Sequence, residues 1–561
     1  MEKTISIGKQ NFASLRENDY FFVDKSNFIR EWWENGDDIT LITRPRRFGK
    51  TLNMSMLECF FSIQYAEHKN LFEGLTIWKD KKYRELQGKY PVIFLSFAAV
   101  KADNLMDAKM QIKQQIVKLY TENRFLLETD LLSENEKKAF DALTVSICDA
   151  EAVIAVNNMC RYLSQYYQKN VILLLDEYDT PMQEAWINGY WDSFTAFLRS
   201  FFNATFKTNP YLERAVMTGI TRISKESIFS DLNNLRVVTT TSDLYADCFG
   251  FTEEEVFHSL DQYHMSDKKQ IVKKWYDGFT FGSHRDIYNP WSITNYLKEK
   301  KLHPYWASTS SNGLVSKLIR RASGNLKENI EDLINQKGIT VNFDEQIIFN
   351  QLDQEENAIW SLLVASGYLK VENIEYRGIT LDPWYTLQIT NLETTSMFQS
   401  MIRGWFQSSE TNYNDFVKAL LHGNLKEMNI YMNDVALATF SSFDTGKKSS
   451  PKSQPERFYH GFVLGLLVDL RDQYEIKSNR ESGYGRYDVM LIPFDKEKDA
   501  MILEFKVHEP DDESSLQDTV QSALKQIDSK NYDAELLTRG IKEKQIRHYG
   551  FAFHGKQVLI G

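Results

Sequence analysis

The sequence predicts an α/β protein. It reads as a parallel sheet laced with helices in the N-terminal half, a helical lid, a mostly helical middle region, and a smaller α/β domain at the C-terminal end. Three stretches carry that expectation. ITRPRRFGKTLNMSMLECFF joins a short apolar strand, through a tight turn, to a helix-patterned segment. VILLLDEYDTPM, Val171 to Met182, sets consecutive apolar residues before an acidic pair, as a strand buried on both faces does. From ERFYHGFVLGLLVDL onward the chain orders a helix, a strand carrying Asp488, a strand carrying Glu504-x-Lys506, and a further helix.

At 561 residues the chain exceeds what one core supports, so about two to four domains are expected. A formal charge of −11 argues against a histone-like binder and confines any nucleic-acid site to a local basic patch. Cys59, Cys148, Cys160 and Cys248 show no CxxC spacing, which speaks against a zinc module and a disulfide scaffold and points to a reducing, cytoplasmic location. MEKTISIGKQ has no apolar signal region, and no run approaches the roughly 18 apolar residues of a membrane span. No membrane partner is expected.

The first forty residues hold an aromatic cluster and then an amphipathic pattern through Phe28, Ile29, Trp32 and Trp33, read as a helix capped near Asp24 or Ser26. Tyr20, Phe21 and Phe22 serve either as core or as the wall of a base pocket, with core the heavier weight. In the turn that follows the first strand, Gly49, Lys50 and Thr51 supply the last part of a phosphate-binding set: free N–H groups at a helix start, an ammonium for phosphate, and a hydroxyl for Mg²⁺. Arg46, Arg47, Phe48 and Leu52 complete the candidate nucleotide-binding stretch. The general signature wants a glycine where this chain has Arg44, so the match is partial and a chance Gly-Lys-Thr stays open. The acidic pair weighs against chance. Asp176 suits the Mg²⁺ and Glu177 the attacking water.

PVIFLSFAAV, Pro91 to Val100, is a second buried strand, and ERAVMTGITRIS a further one whose end presents Thr218, Thr221 and Arg222. Strands alternating with helices predict a doubly wound parallel sheet. Thr218 or Thr221 is the candidate γ-phosphate sensor. Arg222 is either a charge-stabilising group, acting in cis or across a subunit boundary, or an exposed arginine without that task. From Phe251 the pattern turns helical and polar, with a Thr-x-x-Glu capping box beginning at Thr252 and Pro290 near a helix start. ENAIWSLLVASGYLKVENIEYRG followed by WYTLQITNLE reads as a helix and a short β-element, similar to a winged helix or a linker module. GKKSSPKSQPE, from Gly446, is an exposed connection without apolar periodicity. The expected boundaries are 1–250, 251–330, 331–445, a linker at 446–456, and 457–561.

In the C-terminal constellation Glu504 and Lys506 share a strand face and Asp488 lies beside them across a hairpin. Two carboxylates and a lysine can hold one or two Mg²⁺ ions and position water for attack on a phosphodiester. Gly483, Gly485 and Arg486 form a basic approach or simply a turn.

RPRRFGKTL, LLLDEYDTPM, TGITRISKESIFSDLNNL, WYDGFTFG and IYNPWSITNYL together resemble the bacterial AAA-ATPase-like proteins that carry a C-terminal nuclease-superfamily domain. In that family the arginine-rich loop stands in for the missing first glycine. The resemblance implies a P-loop NTPase core with a helical lid, using ATP and Mg²⁺. The C-terminal order resembles the PD-(D/E)XK nuclease superfamily, with a restriction-endonuclease-like α/β fold. Glu456 matches its extra acidic position and Gln526 a polar position on the following helix, while Tyr487 replaces the usual proline. The expected function is an ATPase coupled to a Mg²⁺-dependent nuclease acting on nucleic acid, DNA first, with a homo-oligomer as a candidate assembly. A role in mobile-element or phage conflict rests on analogy. The rival is a nucleotide-controlled interaction switch whose C-terminal domain binds without cutting.

Overall fold

Strand β1 (Ile39–Thr43) and strand β3 (Val171–Asp176) are buried at every residue, as strands covered on both faces must be. With β2 (Val92–Ser96), β4 (Leu212–Gly219) and β5 (Leu235–Val238) they form a parallel five-stranded sheet in the order β2-β3-β4-β1-β5. The structure, a computed structural model, describes residues 2–207, 209–222, 229, 232–307, 315, 318, 324–334, 336–345, 357–398, 414–439, 463–464, 466–467, 470, 473–482, 485–510, 513–555 and 557–561. The chain divides into two units, Met1–Val315 with Thr340–Thr394, and Ser316–Ile339 with Thr395–Gly561.

Strand order positions the site in the first unit. β4 separates β1 from β3, and Thr43 pairs with Gly219 while Leu175 pairs with Met217, so the loops after all three strands open along one edge. Helix Lys50–Phe61 leaves that edge and buries Met54, Leu57, Phe60 and Phe61 against Ile42, Ile172, Leu174 and Val216. At roughly 1.5–3 kcal/mol for each large apolar side chain, this packing fixes the helix start relative to the sheet. Helix Asn27–Asn35 follows Ser26 as the pattern indicated, but the Ser26 hydroxyl accepts from Ile77 N instead of capping it.

Beyond β5, the segment expected to be a helical lid combines helices Glu253–Gln262, Lys269–Tyr276 and Pro290–Glu299 with a small antiparallel sheet of β6 (Phe251–Thr252), β7 (Phe279–Phe281) and β8 (His284–Tyr288). WYDGFTFG thus turns from helix into hairpin. The Thr252–Glu255 capping box is present in both directions, and Asn289 caps the helix that Pro290 begins. Helix Gly324–Ile334 and strand β9 (Ile339–Val341) follow in the chain. Helix Ala358–Ala365 then leads into the antiparallel hairpin of β10 (Leu369–Arg377) and β11 (Asp382–Ile389).

The second unit is built on a mixed sheet, β12 (Tyr474–Ser482), β13 (Gly485–Pro493), β14 (Ala500–Val507), β15 (Ile546–His554) and β16 (Gln557–Ile560), paired in that order. Only β14 and β15 run parallel, and helix Leu516–Lys530 lies in the crossover that such a pair requires. Helices Asn414–His422 and Leu425–Thr439 belong to this unit: Phe416, Leu420, Met428 and Met432 share a core with Leu491, Leu503 and Phe551. Two asparagines one turn apart also pair with the outer strand. The Asn429 side chain bonds Ile560 N and O (2.8 and 2.9 Å), and the Asn433 side chain bonds Val558 N and O (3.0 and 2.7 Å). They satisfy backbone groups that β16, at the sheet edge, would otherwise leave open. Asn433→Ala is therefore expected to destabilise the second unit by about 1–3 kcal/mol, read as earlier denaturant unfolding and faster proteolysis of that unit while the first is unchanged. Glu456, Gly483 and the stretch from Gly446 to Pro455 lie outside the described residues.

Candidate functional site

Helix Lys50–Phe61 begins with no side-chain cap. Gly49, at φ +80°, turns the chain into it and leaves the first N–H groups facing outward, the arrangement that attracts phosphate. The Lys50 ammonium, almost wholly buried, donates to Arg44 O and Pro45 O at 2.8 Å each and so closes the loop on itself. Burial pushes its pKa down to about 8, against the pull of Glu177, Asp176 and Asp179. Arg46, Arg47, Gly49, Thr51 and Leu52 line a cavity of about 560 Å³, within the size range of small-molecule sites. Phe21 and Phe22 line it as well, so part of the N-terminal aromatic cluster does wall the cleft.

Arg44 serves the site from behind, whereas Phe48 also lines the cavity. Arg44 is fully buried; its guanidinium donates to Thr43 O, Thr239 O, Leu244 O and Tyr245 O and lies 4.5 Å from the centre of the Phe281 ring. It braces the end of β1 against the segment after β5. The Phe48 ring packs between Phe279 and Phe281.

Asp176, at the end of β3, joins β4 to the helix that begins at Lys50. One carboxylate oxygen accepts from the Thr51 hydroxyl at 2.8 Å, and the other from Thr218 on β4. Burial pushes this carboxyl up, and the two hydroxyls pull it back. A hydroxyl and a carboxylate side by side form an all-oxygen set that fits Mg²⁺. Glu177 adopts φ +53°, an uncommon conformation for this residue type, lines the cavity, and accepts from Thr180 Oγ1 at 3.1 Å. Thr221 turns elsewhere: its N and Oγ1 donate to Asp179 at 2.8 and 2.7 Å, joined by Ile220 N. Asp179 is thereby a strap on the exit of β4, and half-buried Arg222 follows directly. Lid residues Trp291 and Thr294 line the same cavity; IYNPWSITNYL marks their segment, but nothing in the sequence alone aims them at the loop.

In the second unit the β13–β14 ladder runs through Leu491↔Met501, Met490↔Ile502 and Val489↔Leu503. Past Val489 the Asp488 carboxylate accepts from Phe505 N at 2.8 Å. The acid thus sits where the two strands stop exchanging backbone bonds. Glu504 is nearly fully buried and accepts from the Gln526 amide, whose nitrogen also lies 3.3 Å from Tyr532 Oη. Helix Leu516–Lys530 comes this close because Gly550, opposite Glu504 on β15, has no side chain; a Cβ there would stand 2.8 Å from Val520 O. Half-buried Lys506 follows Glu504 on the same strand face. Asp488 and Glu504 form an oxygen donor set that fits Mg²⁺ better than a thiophilic metal. Tyr532 escaped the sequence reading, since an aromatic at a helix end is usually core.

Residues 6–229 match the AAA-ATPase-like family, described as a predicted AAA-ATPase, and residues 454–561 match the PD-(D/E)XK nuclease superfamily. The chain is also similar to an uncharacterized protein in the vnfD 5′ region of Azotobacter chroococcum mcd 1. The two are 24% identical over 563 residues, spanning 96% of this chain and 94% of that protein. Among the described residues no helix is long and apolar enough to cross a membrane.

Proposed function

From a chain that joins an AAA-ATPase-like domain to a PD-(D/E)XK nuclease-superfamily domain, we propose that this protein binds and hydrolyses ATP and couples that cycle to metal-dependent cleavage of nucleic acid, DNA first. The observation that carries the reading is the buried Asp176 carboxylate, bonded to Thr51 on one side and Thr218 on the other. It brings a phosphate-loop hydroxyl and an acid into register from strands that are not neighbours. Lys50 and the uncapped helix start hold the β- and γ-phosphates, Thr51 and Asp176 would hold an Mg²⁺ ion, which would supply charge neutralisation for the phosphates, and Glu177 orients the attacking water. Thr218 reports the γ-phosphate to Asp176, and Arg222 stabilises charge there in cis or in a neighbouring copy of a homo-oligomer. In the second unit Asp488 and Glu504 would hold the metal, which would supply an activated water, Gln526 fixes Glu504, Glu456 is the auxiliary acid, and Lys506 stabilises the attacked phosphate. The protein acts in the bacterial cytoplasm, and a part in mobile-element or phage conflict is the corresponding biological reading.

The deciding experiment incubates purified protein with DNA and RNA, with and without Mg²⁺ and ATP. Mg²⁺-dependent cleavage that changes with ATP supports the proposal, and ATP-dependent binding without cleavage favours the interaction switch. Glu177→Gln is expected to keep its nucleotide while hydrolysis slows by about 10²–10⁴-fold, because the amide preserves shape and loses the base. Turnover at the parent rate in a phosphate-release assay would remove Glu177 from this role.

A further inference from the structure

Arg47 is the point where the phosphate loop departs furthest from favoured backbone geometry. Its φ of +66° lies in the left-handed region, which glycine enters freely and arginine only at a cost. The side chain offers the compensation: its guanidinium carbon stands 4.2 Å from the centre of the Trp291 ring, at the start of lid helix Pro290–Glu299. Stacking of this kind engages the flat face of the guanidinium and not its in-plane N–H fork. Arg47 and Trp291 line the same cavity as Lys50 and Thr51.

The neighbours of Arg47 are held from the same side. Arg46 O accepts from Asn289 Nδ2 at 3.4 Å and from Trp306 Nε1 at 3.1 Å, and the Phe48 ring is enclosed by Phe279 and Phe281. Fully buried Glu393 then ties the two tryptophan-bearing segments together, accepting from Ser292 Oγ at 2.8 Å and Trp306 N at 2.6 Å. Three successive loop residues are gripped by the lid, and none of these contacts passes through Lys50, Thr51 or Asp176.

We infer that Trp291 is a positioning residue of the nucleotide site: it holds Arg47 in its left-handed conformation with the guanidinium presented to a nucleoside polyphosphate, so that nucleotide binding and lid placement form one coupled equilibrium. The inference rests on the nucleotide-binding reading of the cavity. Coupling of this kind is reciprocal: the factor by which a placed lid raises nucleotide affinity is the factor by which bound nucleotide favours lid placement.

The test is a double-mutant cycle on the full chain, reading equilibrium binding of a fluorescent ATP analogue to Arg47→Gly, Trp291→Leu, the double variant and Trp291→Phe, with Lys50→Ala as the control. Each single change is expected to weaken affinity by about three- to thirtyfold, the range of a cation–π contact. The double variant should bind no more weakly than the weaker single one, and Trp291→Phe should recover most of the loss. Multiplicative losses in the double variant, or parent affinity in either single one, overturn the inference. If the parent binds, Lys50→Ala does not, and Arg47→Gly binds like the parent, the inference alone fails. A parent protein that binds no nucleotide overturns both the inference and the reading beneath it.

Discussion

Lys50→Ala is expected to weaken ATP binding by about 10²–10³-fold, the worth of two charge-assisted hydrogen bonds to phosphate. The ammonium is buried at the head of the helix, beneath a cavity walled by the loop, Glu177 and the lid, with no second lysine in that turn to replace it. The same change removes the donor that Arg44 O and Pro45 O share, so the nucleotide-free protein should also lose about 1–3 kcal/mol of stability. Affinity and stability are thus read separately, by titration calorimetry and by thermal melting. Parent-like affinity would sink the phosphate-loop assignment, whatever happened to the melting curve.

For the second unit, Asp488→Asn is expected to reduce nucleic-acid cleavage by about 10³-fold or more, because the proposed metal ligand loses its charge while its shape remains. Asparagine is the sharper probe than alanine. The Asp488 carboxylate accepts from Phe505 N where the β13–β14 ladder ends, and the amide oxygen can still do so, so loss of activity is not confounded by a frayed sheet. Lys506→Ala should leave metal binding intact and lower cleavage by about 10²-fold, the scale of one lost oxyanion-stabilising group. Neither change should alter ATP hydrolysis measured without nucleic acid. Robust cleavage by Asp488→Asn protein, cleared of contaminating nuclease, would end the active-nuclease reading and promote the interaction switch.

The order of elements was legible from residue types because it depends on short-range chemistry. VILLLD reads as a doubly buried strand from its unbroken apolar run, and Thr252-x-x-Glu255 as a helix start because both halves of the box lie within one turn. Asp488, Glu504 and Lys506 could be aligned in advance because alternation along a strand is fixed by the backbone. β5, only four residues long and partly exposed, left no such pattern, and neither did β16. Within YEIKSNRESGYGRYDVMLIPF the residue types leave Gly485 and Arg486 as either a basic approach or a turn, and the structure decides by pairing the flanking stretches as β12 and β13.

What the sequence determined by itself is the chemistry on offer: a Gly-Lys-Thr turn, an acidic pair after a buried strand, and an aspartate ahead of Glu-x-Lys. What only the tertiary structure decided is which groups answer to one another. Thr218 faces Asp176 while Thr221, three residues on, serves Asp179; Arg44 is enclosed by carbonyls while Arg47 stacks on Trp291, more than two hundred residues away in the chain. Local pattern constrains φ, ψ and the face a side chain takes. The partner of a buried polar group is set by strand order and close packing, which bring together residues whose separation in sequence carries no signal.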